Sequence, residues 1–407
     1  GKFIISKIFK FTKEGRSKEL LFTKTEYLAP LFGLLILGNL LIILNIFTPL
    51  NNIYINIFLI LLPFLSLKKF RIDIKKYLNT NFIFNYLVIP GILVISTVDI
   101  TFNYDAGYYH LLHQNWIRES EVIVGMVNIF FALGMSSIYE YLSAILWFDS
   151  SFVYLHFLNV YFLHFFYLFI KQHFLNKKYT DLYNVAFVIL IYSILDNFGF
   201  GGGRNGFAYI QGVTKQDTTV GILFWFLSIV ILKKIKEKNI SNSEIVTISL
   251  ISLFVYQIKV SGVLVFILYF ILVIYILKLK LVNFTRLIYL HAPVILFAII
   301  WFGKSLFTTG CFIYPVDFTC IEIFDWYVVG STSEVEYYTK LASKNYTLQT
   351  PFTEWIRVVA KDTFEYRGQV LKNFTASFVF IFVLKYILFL KQKIKLNIFL
   401  ISILFLI

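Results

Sequence analysis

Between Asp99 and Arg118 the chain reads Asp-Ile-Thr-Phe-Asn-Tyr-Asp-Ala-Gly-Tyr-Tyr-His-Leu-Leu-His-Gln-Asn-Trp-Ile-Arg, a stretch with two carboxylates, two imidazoles and a guanidinium. Such a set can move protons, because a carboxylate at the border of water and low dielectric has its basicity tuned by desolvation and by nearby cations. Asp105 and Asp99 are the candidate general bases. Asp105 ranks first, because it lies beside Gly107, where the backbone can turn close to a substrate, whereas Asp99 directly follows an apolar stretch and is placed to end a helix. If residues 106–118 are helical, His110 and His113 share a face at i,i+3, with Gln114 beside them. The bland role for Asp105 is to cap that helix. No cofactor is assigned. A divalent metal is compatible with these donors but unsupported by their spacing, since neither Asp-x-Asp nor His-x-x-x-His occurs here.

Three further sites carry cations or hydroxyls. Residues 199–206 hold five glycines and Arg204, and Lys215 and Asp217 follow. Glycine lets backbone amides converge on an anion, and Arg204 or Lys215 would neutralise a phosphate; the alternative is an ordinary flexible loop. No strand–turn–helix context makes this a nucleotide loop. Lys259 interrupts two apolar runs with no acidic neighbour in sequence, which suits either a lipid phosphate or simple snorkelling. Cys311 and Cys320 share one polar segment with Tyr314 and are expected to form a disulfide. Trp301, Trp326 and Trp355 read as interfacial anchors.

Apolar runs position these groups. The 407 residues are 58% hydrophobic and only 15% charged, against about 25% charged in a soluble domain. The runs are long enough for spans of about 20 residues. Six basic patches, at 2–24, 68–76, 171–178, 233–238, 278–286 and 385–395, hold 26 of the 37 Lys and Arg. The net charge of +14 is thus a positive-inside signature, and nucleic acid is not implied as a partner. The basic N-terminus precedes a full-length span, so no cleavable signal is expected.

Threading the patches through a bilayer predicts an all-α polytopic bundle of about 11 spans with a cytoplasmic N-terminus. Its transmembrane part, 1–302, carries outer loops at 98–151 and 196–218; an extracytoplasmic segment, 303–373, and C-terminal spans, 374–407, follow. Phe302 marks the expected border of the last helix before that segment. Within the first loop, 123–147 holds Gly125, Asn128, Gly134, Ser136, Ser137, Glu140 and Ser143, too polar for a lipid-facing span. It is expected to be an interfacial or re-entrant helix, with a pair of true spans as the alternative. The chain opens without Met and stops inside an apolar run, so a longer parent chain is expected.

This layout resembles the GT-C superfamily of integral-membrane glycosyltransferases, with many spans, interfacial helices in a long first outer loop and a loop carboxylate just past the membrane. Tyr104-Asp105-x-Gly107-x-Tyr109-His110 and Cys311-Phe-Ile-Tyr314-Pro315 also resemble a group of bacterial polytopic membrane proteins placed near that superfamily. Those enzymes carry the catalytic loop after their first span, whereas two further spans precede it here. The resemblance implies transfer of a sugar from a polyprenyl-phosphate carrier to a glycan or lipid acceptor at the extracytoplasmic face of a bacterial plasma membrane. Asp105 or Asp99 would act as base, and Arg204, Lys215 or Lys259 would steady the departing phosphate. His110, His113, Asp217 and Tyr314 complete the expected substrate contacts. A polysaccharide polymerase or ligase using the same carriers is the neighbouring alternative. A transporter or flippase is the alternative from another class, and it would place its polar residues at mid-membrane.

Overall fold

The computed structural model describes residues 1–14, 19–62, 80–95, 102, 104–147, 153–175, 216–343, 351, 353 and 354. Among them the chain is helical apart from one antiparallel pair, β1 (Glu19–Leu20) with β2 (Thr23–Lys24). The helices in chain order are α1 (Lys2–Thr12), α2 (Thr25–Asn45), α3 (Ile53–Leu61), α4 (Thr80–Ile95), α5 (Leu111–Glu119), α6 (Ile138–Ala144), α7 (Phe157–Leu175), α8 (Asp217–Glu237), α9 (Asn242–Ile258), α10 (Leu264–Lys278), α11 (Phe284–Thr309) and α12 (Ser331–Ser343). Four segments are long and apolar enough to cross a membrane: α2, α8, Val260–Lys278 and α11. The expected spans Tyr183–Leu195, Phe374–Leu390 and Ile398–Ile407 lie outside the described residues.

Helix α9 forms the centre, buried continuously from Ile245 to Ile258. Its neighbours are α11, α8 and α10, while α2 packs between α1, α6 and α11. On α10 the exposed residues Leu264, Ile267, Ile271 and Ile274 repeat at three- and four-residue spacing. That periodicity makes one apolar stripe facing away from the bundle, a surface suited to lipid rather than water. The buried Asn39 on α2 and Gln257 on α9 trade amide hydrogen bonds at 2.9 and 3.3 Å, which pins the two helices without leaving an orphan polar group.

The helices alternate between two ends. Tyr27, at the start of α2, donates to Gln172, late in α7, and Lys234, late in α8, reaches Glu244, early in α9. At the other end Asn159 of α7 accepts from Thr219 of α8 at 3.3 Å, and Asp217 meets Lys259.

Three expectations change. Asp217, expected in a loop, is the first residue of α8, where a carboxylate complements the helix dipole. Phe302 is not the border of its helix, because α11 continues to Thr309. Thr308 and Thr309 return hydrogen bonds to the carbonyls of Lys304 and Ser305, and Gly310, at φ 77°, ends the helix. Residues 123–147 form neither a pair of spans nor one continuous helix. Short 3-10 turns lead into α6, every residue of which is buried.

Candidate functional site

Tyr104 and Asp105 lie on helical backbone that passes through a π turn, Ala106–His110, directly into α5. The half-buried Asp105 makes no cap hydrogen bond to that turn, so the capping role is not adopted. A π turn inserts extra backbone into a helix and resets the faces of the residues around it, which is why such turns gather at functional positions.

His110 and His113 share a face as the spacing predicts, and both point to one carboxylate. Nδ1 of His110 lies 2.5 Å from Oε1 of Glu140, and Nδ1 of His113 lies 2.5 Å from Oε2. An ionised carboxylate only accepts, so both Nδ1 atoms carry the shared hydrogen. Glu140 is fully buried and also accepts from the Ser137 backbone N–H at 3.0 Å. The Ser137 hydroxyl in turn donates to the carbonyl of Ile258 at 2.5 Å, which ties the start of α6 to the end of α9. Burial acts to raise the Glu140 carboxyl, but the charge of His113 and the hydrogen bonds from both imidazoles outweigh it and hold the group at about 2.

Tyr109 sits beside this cluster. Its ring packs against His110 with centroids 4.1 Å apart. Burial, then the charges of Glu140, Asp105 and Asp217, push its phenol well up, so it stays a hydroxyl donor. Asp217 pairs with Lys259 at 2.5 Å; the two side chains are 43% and 42% exposed. Lys259 therefore has the acidic partner that its sequence neighbourhood lacks, supplied by a different helix.

The remaining candidates separate. Arg118 donates to the carbonyls of Ala144 and Trp147 at 3.1 and 2.7 Å, so it closes the end of α6 rather than facing a substrate. Tyr314 is buried against Gly134, where a Cβ would come within 2.6 Å of its ring, and among the described residues its hydroxyl has no partner. Cys311 and Cys320 form the expected disulfide. Among the described residues no group of three or more His, Cys, Asp or Glu is arranged to hold a metal. Asp99, Arg204, Lys215 and Trp355 lie outside the described residues.

The family model for a domain of unknown function, DUF8201, matches residues 3–407. The chain belongs to the DUF8201 family. No curated protein and no solved structure matches it.

Sequence reasoning on this DUF8201 chain missed two charged groups. Glu140 is the one acidic residue between Glu121 and Asp149, and Ser137-x-x-Glu140 is a capping-box pattern that the structure realises. Both signals were legible, but their link to the histidines 27 and 30 residues earlier was not. Lys304 read as the first cation of an outer segment; it is instead 2% exposed within α11.

Proposed function

We propose that the chain is a GT-C-like membrane glycosyltransferase that moves a sugar from a polyprenyl-phosphate carrier to an acceptor hydroxyl. The observation that carries this reading is the gathering, at one end of an apolar helical bundle, of the His110–Glu140–His113 cluster and the Asp217–Lys259 pair, with Asp105 at the start of the turn that carries His110. A transporter would carry its polar groups at mid-span; here the acid–base groups gather at the bundle's end.

In this reaction the acceptor oxygen attacks the anomeric carbon and passes its proton to Asp105. The carbon–oxygen bond to phosphate breaks, and polyprenyl phosphate leaves with the electron pair. Lys259 is the candidate cation for that developing charge. Tyr109, kept protonated, donates a hydrogen bond to substrate oxygens. We further propose that this end faces the extracytoplasmic side, because the basic patches gather at the opposite one.

The test is reconstitution of the purified chain in liposomes with polyprenyl-phosphate sugars as donors. Time-dependent release of polyprenyl phosphate with glycosylation of an acceptor supports the reading; an intact donor across a panel of sugars and acceptors contradicts it.

A further inference from the structure

The two most exposed large apolar side chains among the described residues are Phe318, at 89%, and Ile323, at 84%. Both belong to the segment that follows α11, and the reaction above uses neither. Phe318 lies in the loop that the Cys311–Cys320 disulfide closes. Apolar surface of this size left open marks a contact, because its burial is favourable in proportion to its area.

The loop folds back along the end of α11. The Phe312 ring meets that of Phe302 edge-on, with centroids 6.5 Å apart. On the returning arm the Ile321 N–H donates to the carbonyl of Gly310 at 2.9 Å, and the Trp326 indole donates to that of Leu306 at 3.0 Å. Helix α11 has 26 residues and is therefore about 39 Å long, against about 30 Å of hydrocarbon. Counted from Phe284, a span of about 20 residues ends near Gly303. Phe302, where the loop returns, thus lies at the border of the hydrocarbon. The face of α11 exposed at Ile288, Ile295, Ile299 and Phe307 runs on into Phe312, which is itself exposed.

Irregular backbone meets acyl chains only where its own polar groups are satisfied. Here the N–H groups of Phe312, Val316, Thr319 and Cys320 donate to carbonyls within the loop at 2.8–3.1 Å, and that of Ile313 donates to the Thr319 hydroxyl at 3.1 Å. The Asp317 carboxylate, next to Phe318 in sequence, accepts from the Tyr327 phenol at 3.2 Å and so turns towards protein. Glu322 and Asp325 follow the loop and are exposed, a placement that suits hydrated headgroups.

We propose that the disulfide-closed loop 311–320 docks on the bilayer, with Phe312 and Phe318 among lipid at the headgroup–acyl boundary beside α11. The proposal rests on α11 crossing the bilayer. It depends neither on the transferase reading nor on which side of the membrane the loop occupies.

The experiment places an environment-sensitive fluorophore on Phe318→Cys in the full chain, reconstituted in phosphatidylcholine nanodiscs. Both native cysteines are in the bridge, so the introduced thiol is the one that labels. Phe318 is so exposed that replacing it removes little packing; if the variant does not fold, Phe312→Cys takes its place. Ile274→Cys, on the outward stripe of α10, gives the signal of a lipid-facing site. The quenchers are phosphatidylcholine with a nitroxide near the top of its acyl chain and, separately, aqueous iodide. The label at Phe318 should be quenched by the nitroxide lipid at least roughly half as strongly as that at Ile274, as a side chain at the headgroup–acyl boundary requires. Weaker quenching overturns the proposal in either form. A label open to iodide would mean a loop in water, and one shielded from both quenchers would mean a cover of protein, such as residues 344–407 or a second copy.

Discussion

The two ends of the bundle use charge differently. At the Lys234 end, charges finish helices. Ser241 and Glu244 form a capping box at the start of α9, and the Glu14 carboxylate accepts from the next two backbone amides, Asn242 and Ser243, at 2.6 and 3.0 Å. Lys234 then reaches Glu244 at 2.7 Å. These contacts satisfy donors that any helix start leaves open. At the Asp105 end, charges are sunk deeper into the packing: Glu140 is 0% and Lys304 2% exposed, against 8% for Lys234. Asp217 and Lys259 form an exposed pair there. The lesson is that helix-capping rules account for the charges of the first end, whereas at the second Glu140 caps α6 and also holds two imidazoles that capping does not require.

Breaking Glu140 should have the largest effect. Glu140→Ala leaves two imidazoles and the Ser137 amide buried without their acceptor, and removing one partner of a buried pair costs about 3–5 kcal/mol. Denaturation of the purified variant should show that loss; a change below about 1 kcal/mol would mean that the cluster is not the staple between α5 and α6.

Acid should sharpen the same contrast. Because Glu140 is held below its ordinary value of 4.5, at about 2, the stability it supplies is complete above pH 4.5 and is lost as pH falls through 2. Wild type should therefore lose melting temperature across that window more steeply than Glu140→Gln. Parallel curves would argue against an ionised Glu140.

The smallest effect belongs to the other end. Ser241→Ala removes a cap worth about 1 kcal/mol, and Glu14 still serves the neighbouring amides, so melting should drop modestly with transfer unchanged. Loss of transfer in that variant would erase the distinction between the ends.

How much of this was legible follows from the range of each signal. The apolar runs and basic patches marked α2, α8, α10 and α11, because span length and charge bias are local properties. The pairing of His110 with His113 was legible from three-residue spacing, and the disulfide from two cysteines in one polar segment. Glu140 as their shared acceptor was not, since it arrives from a separate turn after irregular backbone with no period to read. Lys259 looked unpartnered because its carboxylate lies 42 residues away. Lys304 was misplaced because Trp301-Phe302-Gly303 imitates a membrane border while the threonines that prolong α11 come after it.

The central claim is that the Asp105 end serves chemistry and not merely the fold, and Asp105→Asn tests it most directly, with sugar transfer and melting measured on one purified sample. The variant keeps shape and removes basicity, so transfer should fall about 10²–10⁴-fold while the melting temperature stays at the wild-type value. Near-normal transfer, or a loss of transfer that merely follows a loss of folded protein, would contradict it.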